Sequence, residues 1–482
     1  MKPEGGTLKI PPPASTPDSS SVPPNEIEQQ ENKNLWLLAS YMISLRVGWI
    51  FKAETVIMPA VINSINDSPW VRAFMPVLSR LGQSMPPLFY APWLRGLPRK
   101  KRALMLTSTL MSLPFLILCL TWYYKGTQNF PGLAVLFLLL YFLFFCSTGL
   151  NMLTAGTLQG KLIRPNRRGR LMMLSGLLGT VAACTAAWLL LQRWLKEGAS
   201  GFIPIFAMSA VCFLTAAFVT SRLAEPADPP RSDPPKRRLH ALLHIVETIR
   251  NHAPFRKLIL VAMFFITSLS LTPHYQTLGS QGLFPDSTVN RVDASNEPGG
   301  TDKTIEKKKL STSQTAFSYT LWVITQNIGA GLMGAMAGWL ADRWGTRLAL
   351  RFQLALAMFT PLVALLFAQF PEETRSLYFG FLYFLLGSVP ITIKILSNYV
   401  LELVPNEDHP HYLSTLQFSL VIPLFLSPVI GVCISLFGYP SILLLISAVV
   451  ATGFGLTFTM LEPRHHPELR HPSEVPNAET PI

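Results

Sequence analysis

Charge is what this sequence has least of. Only 14% of its 482 residues are Asp, Glu, Lys or Arg, against about 25% in soluble domains. With 49% hydrophobic residues, a globular chain of this length would lack a polar surface, so a polytopic membrane protein is the first reading. Acidic residues are scarcer than basic ones, 27 against 40, leaving a formal net charge of +13. Nucleic-acid binding needs basic residues gathered on a folded polar surface. Here they lie mostly in short loops between apolar runs, so no nucleic-acid partner is expected.

Cysteine is too sparse to build a framework. Cys119, Cys146, Cys184, Cys212 and Cys433 all fall inside apolar runs, without zinc-like spacing or a pairing pattern, and read as small buried hydrophobes. His465, His466 and His471 near the C-terminus have no Cys or carboxylate cluster to complete a metal shell, so neither metal nor cofactor is expected. Residues 1–33 contain no apolar core, which excludes a secretory signal peptide and suggests a disordered tail. No G-x-S-x-G, no H-E-x-x-H and no Asp within an apolar run is present, which argues against a membrane-embedded enzyme.

What the chain has in abundance is apolar stretches of about 20 residues, each long enough to cross a hydrocarbon core. About twelve occur, near 35–62, 70–93, 103–124, 132–158, 171–191 and 202–223, then 257–278, 313–339, 348–370, 377–400, 413–437 and 441–461. The expected fold is therefore all-α, with two six-helix bundles over 34–223 and 257–461. Between them, residues 224–256 hold a Pro-rich basic linker and an amphipathic segment suited to an inner membrane surface. Residues 279–312 read as a long external loop, and 462–482 as a second disordered tail.

Basic residues cluster in alternate loops: Arg95 to Arg102, Lys161 to Arg170, Lys236 to Arg238, and Arg343 with Arg347. By the positive-inside rule that side is the cytoplasm, which places both termini there in a cell (inner or plasma) membrane. The 279–312 segment, with five Lys and Arg of its own, runs against this trend and is outweighed by the other loops.

After the eighth run the sequence reads GWLADRWGTRLALR, residues 338–351. Its skeleton, G-x-x-x-D-R-x-G-x-R, resembles the loop signature of the major facilitator superfamily, bacterial type, and stands where a twelve-span member carries its second copy. On physical grounds Gly338 permits close helix approach and Gly345 a tight turn. Asp342 can face the positive end of the next helix, and Arg343 and Arg347 can pair with carboxylates or lipid phosphates. The resemblance implies that such contacts latch the inner face. The first-half counterpart, FYAPWLRGLPRKKRAL, keeps the basic run but lacks the Asp.

The resemblance further implies a secondary transporter for a small solute, working as a monomer in the lipid bilayer by alternating access, with spans 1, 4, 7 and 10 around a central cavity. The chain has no G-x-x-x-x-G-K-[ST] loop, so uphill transport would draw on an ion gradient, protons included, or on a partner chain. A receptor or assembly protein on the same fold is the alternative.

Charges inside a span cost about 2.5–3.5 kcal/mol each on insertion scales and so face protein or water. Arg46, Lys52 and Glu54 in the first span and Arg80 in the second are thus candidates for substrate or coupling sites. On one continuous helix Arg46 and Glu54 would stand about 80° apart and share a cavity wall, with Lys52 turned to a neighbouring helix. The basic bias leans toward an organic anion, with Glu54 as a titrating gate. A buried structural charge network is the competing account. His274 in the seventh span is a candidate for substrate or proton binding, with Tyr275 beside it in an aromatic belt. Lys394 in the tenth span either faces substrate or snorkels to the interface.

Overall fold

The computed structural model describes residues 24–66, 68–125, 132–227, 247–283, 301–404 and 409–463. Among these residues every regular element is helical. Nine stretches are long and apolar enough to cross a membrane. Span 2, helix Phe74–Gly96, escapes that measure because Arg80 and Gln83 lower its hydropathy. Span 8 lies within helix Thr301–Trp344. The stretch His411–Thr459 holds two spans, because Gly438, at φ 74°, turns the chain where no L side chain sits easily. The total among the described residues is twelve.

Span 1 combines helices Pro24–Phe51 and Ile57–Ile65. Spans 3, 4 and 6 are Lys101–Lys125, Leu133–Leu162 and Phe202–Ser221. Span 5 starts as Pro165–Ala186 and passes through a π-helical turn, Ala187–Leu191. Span 7 runs from Ala253–Ile266 through a 3-10 turn to Thr272–Gln281. Span 9 is Thr346–Phe367, and span 10 joins Glu372–Leu386 to Val389–Leu403. In the first bundle span 3 packs on span 6 and span 2 on span 4, while span 1 lies against spans 5 and 6. In the second, span 8 packs on span 10, and span 9 meets span 12 where Ser447 donates to the Met358 carbonyl at 2.8 Å.

The outside is greasy. Leu106, Leu113, Leu116 and Leu120 form an exposed stripe on span 3, and Val135, Leu139 and Leu143 another on span 4. Such stripes would be aggregation sites in water and are the natural lining of a bilayer. This is a multi-pass membrane protein.

Three boundaries differ from the sequence reading. Helix 1 extends back to Pro24, because Glu31 and Asn34 are buried against the rest of the bundle and hold it in place. The segment after span 7 is shorter than 279–312 at both ends, with helix to Gln281 and again from Thr301. Of the 224–256 linker, residues 247–251 are helical, and most of the rest lies outside the described residues, as do the tail histidines.

Candidate functional site

The first span breaks where its charges are. Its helix ends at Phe51 and resumes at Ile57, and the cause is Pro59. A proline ring clashes with the carbonyl four residues earlier and offers it no N–H, so Thr55 cannot stay in the helix. The freed Thr55 carbonyl accepts instead from Tyr383 Oη of span 10 at 3.1 Å. The Thr55 hydroxyl donates to Gln326 Oε1 of span 8 at 2.6 Å. One proline thus turns a stretch of helix into a cross-bundle contact. In span 7 Pro273 cannot donate to the Leu269 carbonyl, which accepts locally from the Thr272 backbone N–H and, at 2.7 Å, from the Thr272 hydroxyl.

Because the helix stops at Phe51, Arg46 and Glu54 do not share a continuous helical face, and the 80° relation expected from sequence does not apply. Lys52 is fully buried and donates to Glu54 Oε1 at 2.8 Å. Its ammonium sits 3.5 Å from the Trp49 ring centroid, 4.3 Å from Phe145 and 4.7 Å from Phe144, a cation–π cage that offsets part of its desolvation. Two of these rings belong to span 4, so Lys52 does face a neighbouring helix. Glu54 keeps 31% of its side chain accessible. The Tyr141 hydroxyl lies in hydrogen-bond reach of Ser79 and Glu54, and Arg80 lies in electrostatic reach of the same carboxylate. Arg80 also donates to Gln417 Oε1 of span 11 at 2.6 Å, again between bundles.

Toward the end opposite the basic loops, the two bundles are joined by further polar contacts. Asn63 of span 1 donates to Gln276 Oε1 at 2.7 Å and Thr277 Oγ1 at 3.1 Å, both in span 7. Arg72 in turn donates to Asn63 Oδ1, and Gln276 to Tyr319. Gly431 of span 11 lies so close to the start of span 2 that a Cβ there would stand 2.8 Å from the Pro69 carbonyl oxygen. His274 is buried beside Tyr439, with neither ring nitrogen hydrogen-bonded. Tyr275 is 1% exposed, so it belongs to the core rather than to an aromatic belt.

Nearer the basic end one face of span 10 is accessible. Pro390, Lys394, Asn398 and Leu401 form one exposed face of span 10. Arg46 is half-buried, its stem packed where Gly179 of span 5 leaves room; a Cβ there would lie 3.1 Å from Arg46 Cδ. The Lys394 ammonium is within electrostatic reach of Arg46 across the interface.

The loop signature takes a different form from the one expected. Gly345, at φ 97°, makes the tight turn, but a Cβ on Gly338 would meet nothing within 4 Å, so that glycine permits no close approach. The start of span 9 is met by Glu462, whose carboxylate accepts from Thr346 N at 3.2 Å and Arg347 N at 3.0 Å. The Arg347 guanidinium donates to the Met460 carbonyl at 2.9 Å. Arg343 is exposed between Trp339 and Trp344, 5.7 and 5.9 Å from their centroids, as befits an interfacial cation.

Glu462 has a twin that the motif search missed. Glu225, after span 6, accepts from Lys100 N at 2.9 Å, Lys101 N at 2.7 Å and Lys161 Nζ at 2.9 Å. Each acid satisfies orphan N–H groups at the start of the third helix of its bundle, where the helix dipole favours a negative charge. The signal was in the sequence: Glu225-Pro226 and Glu462-Pro463 follow the last span of each half.

Residues 305–482 match the family model of the Major Facilitator Superfamily. No curated protein matches the chain by sequence. Among solved structures, a mutant of the nucleoside transporter NupG is similar with a TM-score of 0.64 at 10% identity, covering 90% of this chain and 100% of that one. A bacterial homologue of the human drug peptide transporters PepT1 and PepT2 gives 0.60 at 12%, over 90% and 99%. The Major Facilitator Superfamily transporter FucP in its outward conformation gives 0.52 at 13%, over 89% and 98%. The second half of the chain thus matches that family model, and the fold running through both bundles is that of these solved transporters.

Proposed function

We propose that this protein is a secondary transporter that carries a small organic anion between its two bundles by alternating access. The observation that carries the reading is the charge balance where the bundles meet. Arg46, Lys52, Arg80 and Lys394 are set against the carboxylate of Glu54, which Lys52 already neutralises. A bundle interface of that sign would favour anions over cations. In this reading Glu54, partly accessible beside its buried partner, and His274, buried at the far end, are the candidates for exchanging a proton during the cycle. Both termini lie on the cytoplasmic side of a cell membrane in this reading, and the monomer is the working unit.

The test is a thermal-stability screen of the detergent-purified protein against organic anions, sugars, amino acids and cationic drugs, beside Arg46→Ala and Glu54→Gln. A ligand at 100 times its Kd stabilises the native state by about 2.7 kcal/mol. Stabilisation by an anion in the wild type and not in Arg46→Ala supports the assignment. Stabilisation by neutral or cationic compounds alone refutes it.

A further inference from the structure

At the end opposite the basic loops a cavity of about 540 Å³ lies across the bundle interface, and none of Arg46, Lys52, Glu54 or Arg80 lines it. Its wall comes from both halves of the chain. Gln192 belongs to the last turns of span 5, while Phe317, Tyr319 and Glu372 belong to spans 8 and 10. A smaller crevice of about 280 Å³ shares Tyr319 with it and reaches Ala60 and Ser64 of span 1. Among the described residues of the wall Glu372 is the one charged side chain; it is exposed and makes no hydrogen bond or ion pair. Arg375, beside it, is 8% exposed and spends its guanidinium on the carbonyls of Gly279, Phe370 and Ser280. The wall is also short of donors. Ser280 gives its proton to the Gln276 carbonyl at 3.0 Å, and Ser318 to the Gln314 carbonyl at 2.8 Å. The Trp322 N–H goes to the Ser376 carbonyl at 2.8 Å. The hydroxyls keep their lone pairs. An acceptor-rich wall with aromatic rings and a free carboxylate repels anions and suits an ammonium group on an apolar body.

We propose that this cavity is a second ligand site, for an organic monocation whose ammonium pairs with Glu372 while its apolar body lies against Phe317 and Tyr319, and that occupation holds this end of the protein shut. The second part follows from where the wall comes from. Tyr319 accepts from Gln276 Nε2, and Gln276 Oε1 accepts from Asn63 of span 1 at 2.7 Å. One lining residue is therefore part of the polar latch between the bundles. Trp188 of span 5 meets Phe317 of span 8 edge to face at 6.4 Å across the same boundary. Parting the bundles at this end would carry Gln192 and Trp188 away from Phe317 and Tyr319 and dismantle the site. A ligand that binds only the closed form shifts the population toward that form, by as much as its affinity for the two forms differs. The cation thus acts as an inhibitor from the face opposite the basic loops, without reaching the charges where the bundles meet.

Phenethylamine, protonated at neutral pH, is the probe, and 2-phenylethanol, of the same shape without the charge, is its control. The detergent-purified full chain is titrated with each, as wild type, Glu372→Gln and Glu372→Asp, with thermal unfolding as the readout. Glu372 is exposed and unpaired, so neither substitution disturbs folding. The amine is expected to stabilise the wild type and Glu372→Asp, to bind Glu372→Gln on the order of ten-fold more weakly, and to outdo the alcohol at equal concentration. Conformation is read with spin-labelled Cys in place of Asn66, after span 1, and Gln369, after span 9, both exposed at this end, in a variant lacking the five native cysteines. Asn63→Ala in that background weakens the latch and populates the open form. There the amine should raise the closed-to-open ratio on the order of five-fold in lipid nanodiscs, and Glu372→Gln should abolish the effect. Equal responses of wild type and Glu372→Gln in the titration, both shifted or both silent, overturn the site, as does an equal response to the alcohol. Spin-label distances that stay put or move toward opening overturn its hold on the closed end. The anion reading fails or survives separately, because Arg46→Ala and Glu54→Gln leave Glu372 in place.

Discussion

Breaking the Lys52–Glu54 pair from its two ends should give very different costs, and the order is the reverse of what burial alone suggests. Lys52 is fully buried and Glu54 is 31% accessible, so deleting the lysine looks like the greater injury. Glu54→Gln leaves an ammonium in an apolar cage with a weaker acceptor in front of it. Uncompensated buried charges cost about 3–5 kcal/mol; the remaining amide oxygen and the Trp49, Phe144 and Phe145 rings bring the expectation down to about 3 kcal/mol. Lys52→Met leaves a carboxylate that still reaches water, the Tyr141 hydroxyl and Arg80, and fills the cage with a flexible apolar chain of similar length. That change should cost about 1 kcal/mol, close to a volume-conserving swap. The double variant carries no charge to strand and should lie within about 1 kcal/mol of wild type, giving a coupling of about 2–3 kcal/mol. Equilibrium unfolding of the four proteins in mixed micelles, by titration with a denaturing detergent, supplies the cycle. If Lys52→Met proves as damaging as Glu54→Gln and the two costs simply add, the pair is not held together by mutual neutralisation and the reasoning is wrong.

Four other outcomes follow from the geometry. Gly149→Ala would place a Cβ 2.4 Å from the Gln83 carbonyl oxygen and should cost about 1–3 kcal/mol by parting spans 2 and 4. Gly156→Ala in the same helix meets nothing within 4 Å and should be neutral or stabilising by about 0.5–1 kcal/mol; equal thermal shifts for the two would contradict the packing. Glu462→Ala removes the acceptor for two backbone N–H groups at the start of span 9 and should cost about 2–4 kcal/mol, with Glu225→Ala comparable and unfolding midpoints as the check. Cysteines at Asn63 and Thr277, whose polar atoms now stand 3.1 Å apart, should form a disulfide on oxidation that stops flux in proteoliposomes and that reductant restores. Burial lowers the pKa of His252, at the basic face, below its usual 6.5, while its Nδ1 caps Phe255 N at 3.1 Å. The neutral ring is the folded form, so its contribution is present above pH 6.5 and is lost as pH falls below it. His252→Asn should flatten the pH dependence of stability below pH 6.5, and an unchanged slope would remove this role.

The spans and their order were legible because a bilayer imposes a length and a polarity on each helix. The count of twelve survives even where one measure of hydropathy misses span 2, whose Arg80 is buried among helices. Lys52 turning to a neighbouring helix was likewise readable, since no lipid-facing position tolerates it. The loop signature located the turn at Gly345 but gave no pointer to Glu462. Asp342 is local to the motif, whereas Glu462 reaches the same N–H groups from 115 positions beyond Arg347.

The sequence by itself therefore determined what each residue has to avoid: apolar runs avoid water, the basic loops avoid crossing the membrane, and Pro59 and Pro273 prevent unbroken helices. These are local constraints, fixed by side-chain chemistry and backbone sterics. Only the tertiary structure decided which groups satisfy one another. Thr55 meets Tyr383, Arg80 meets Gln417 and Asn63 meets Gln276, each pair joining halves of the chain more than 200 residues apart. No periodicity encodes such pairs, because they are set by how the two bundles lean together in three dimensions.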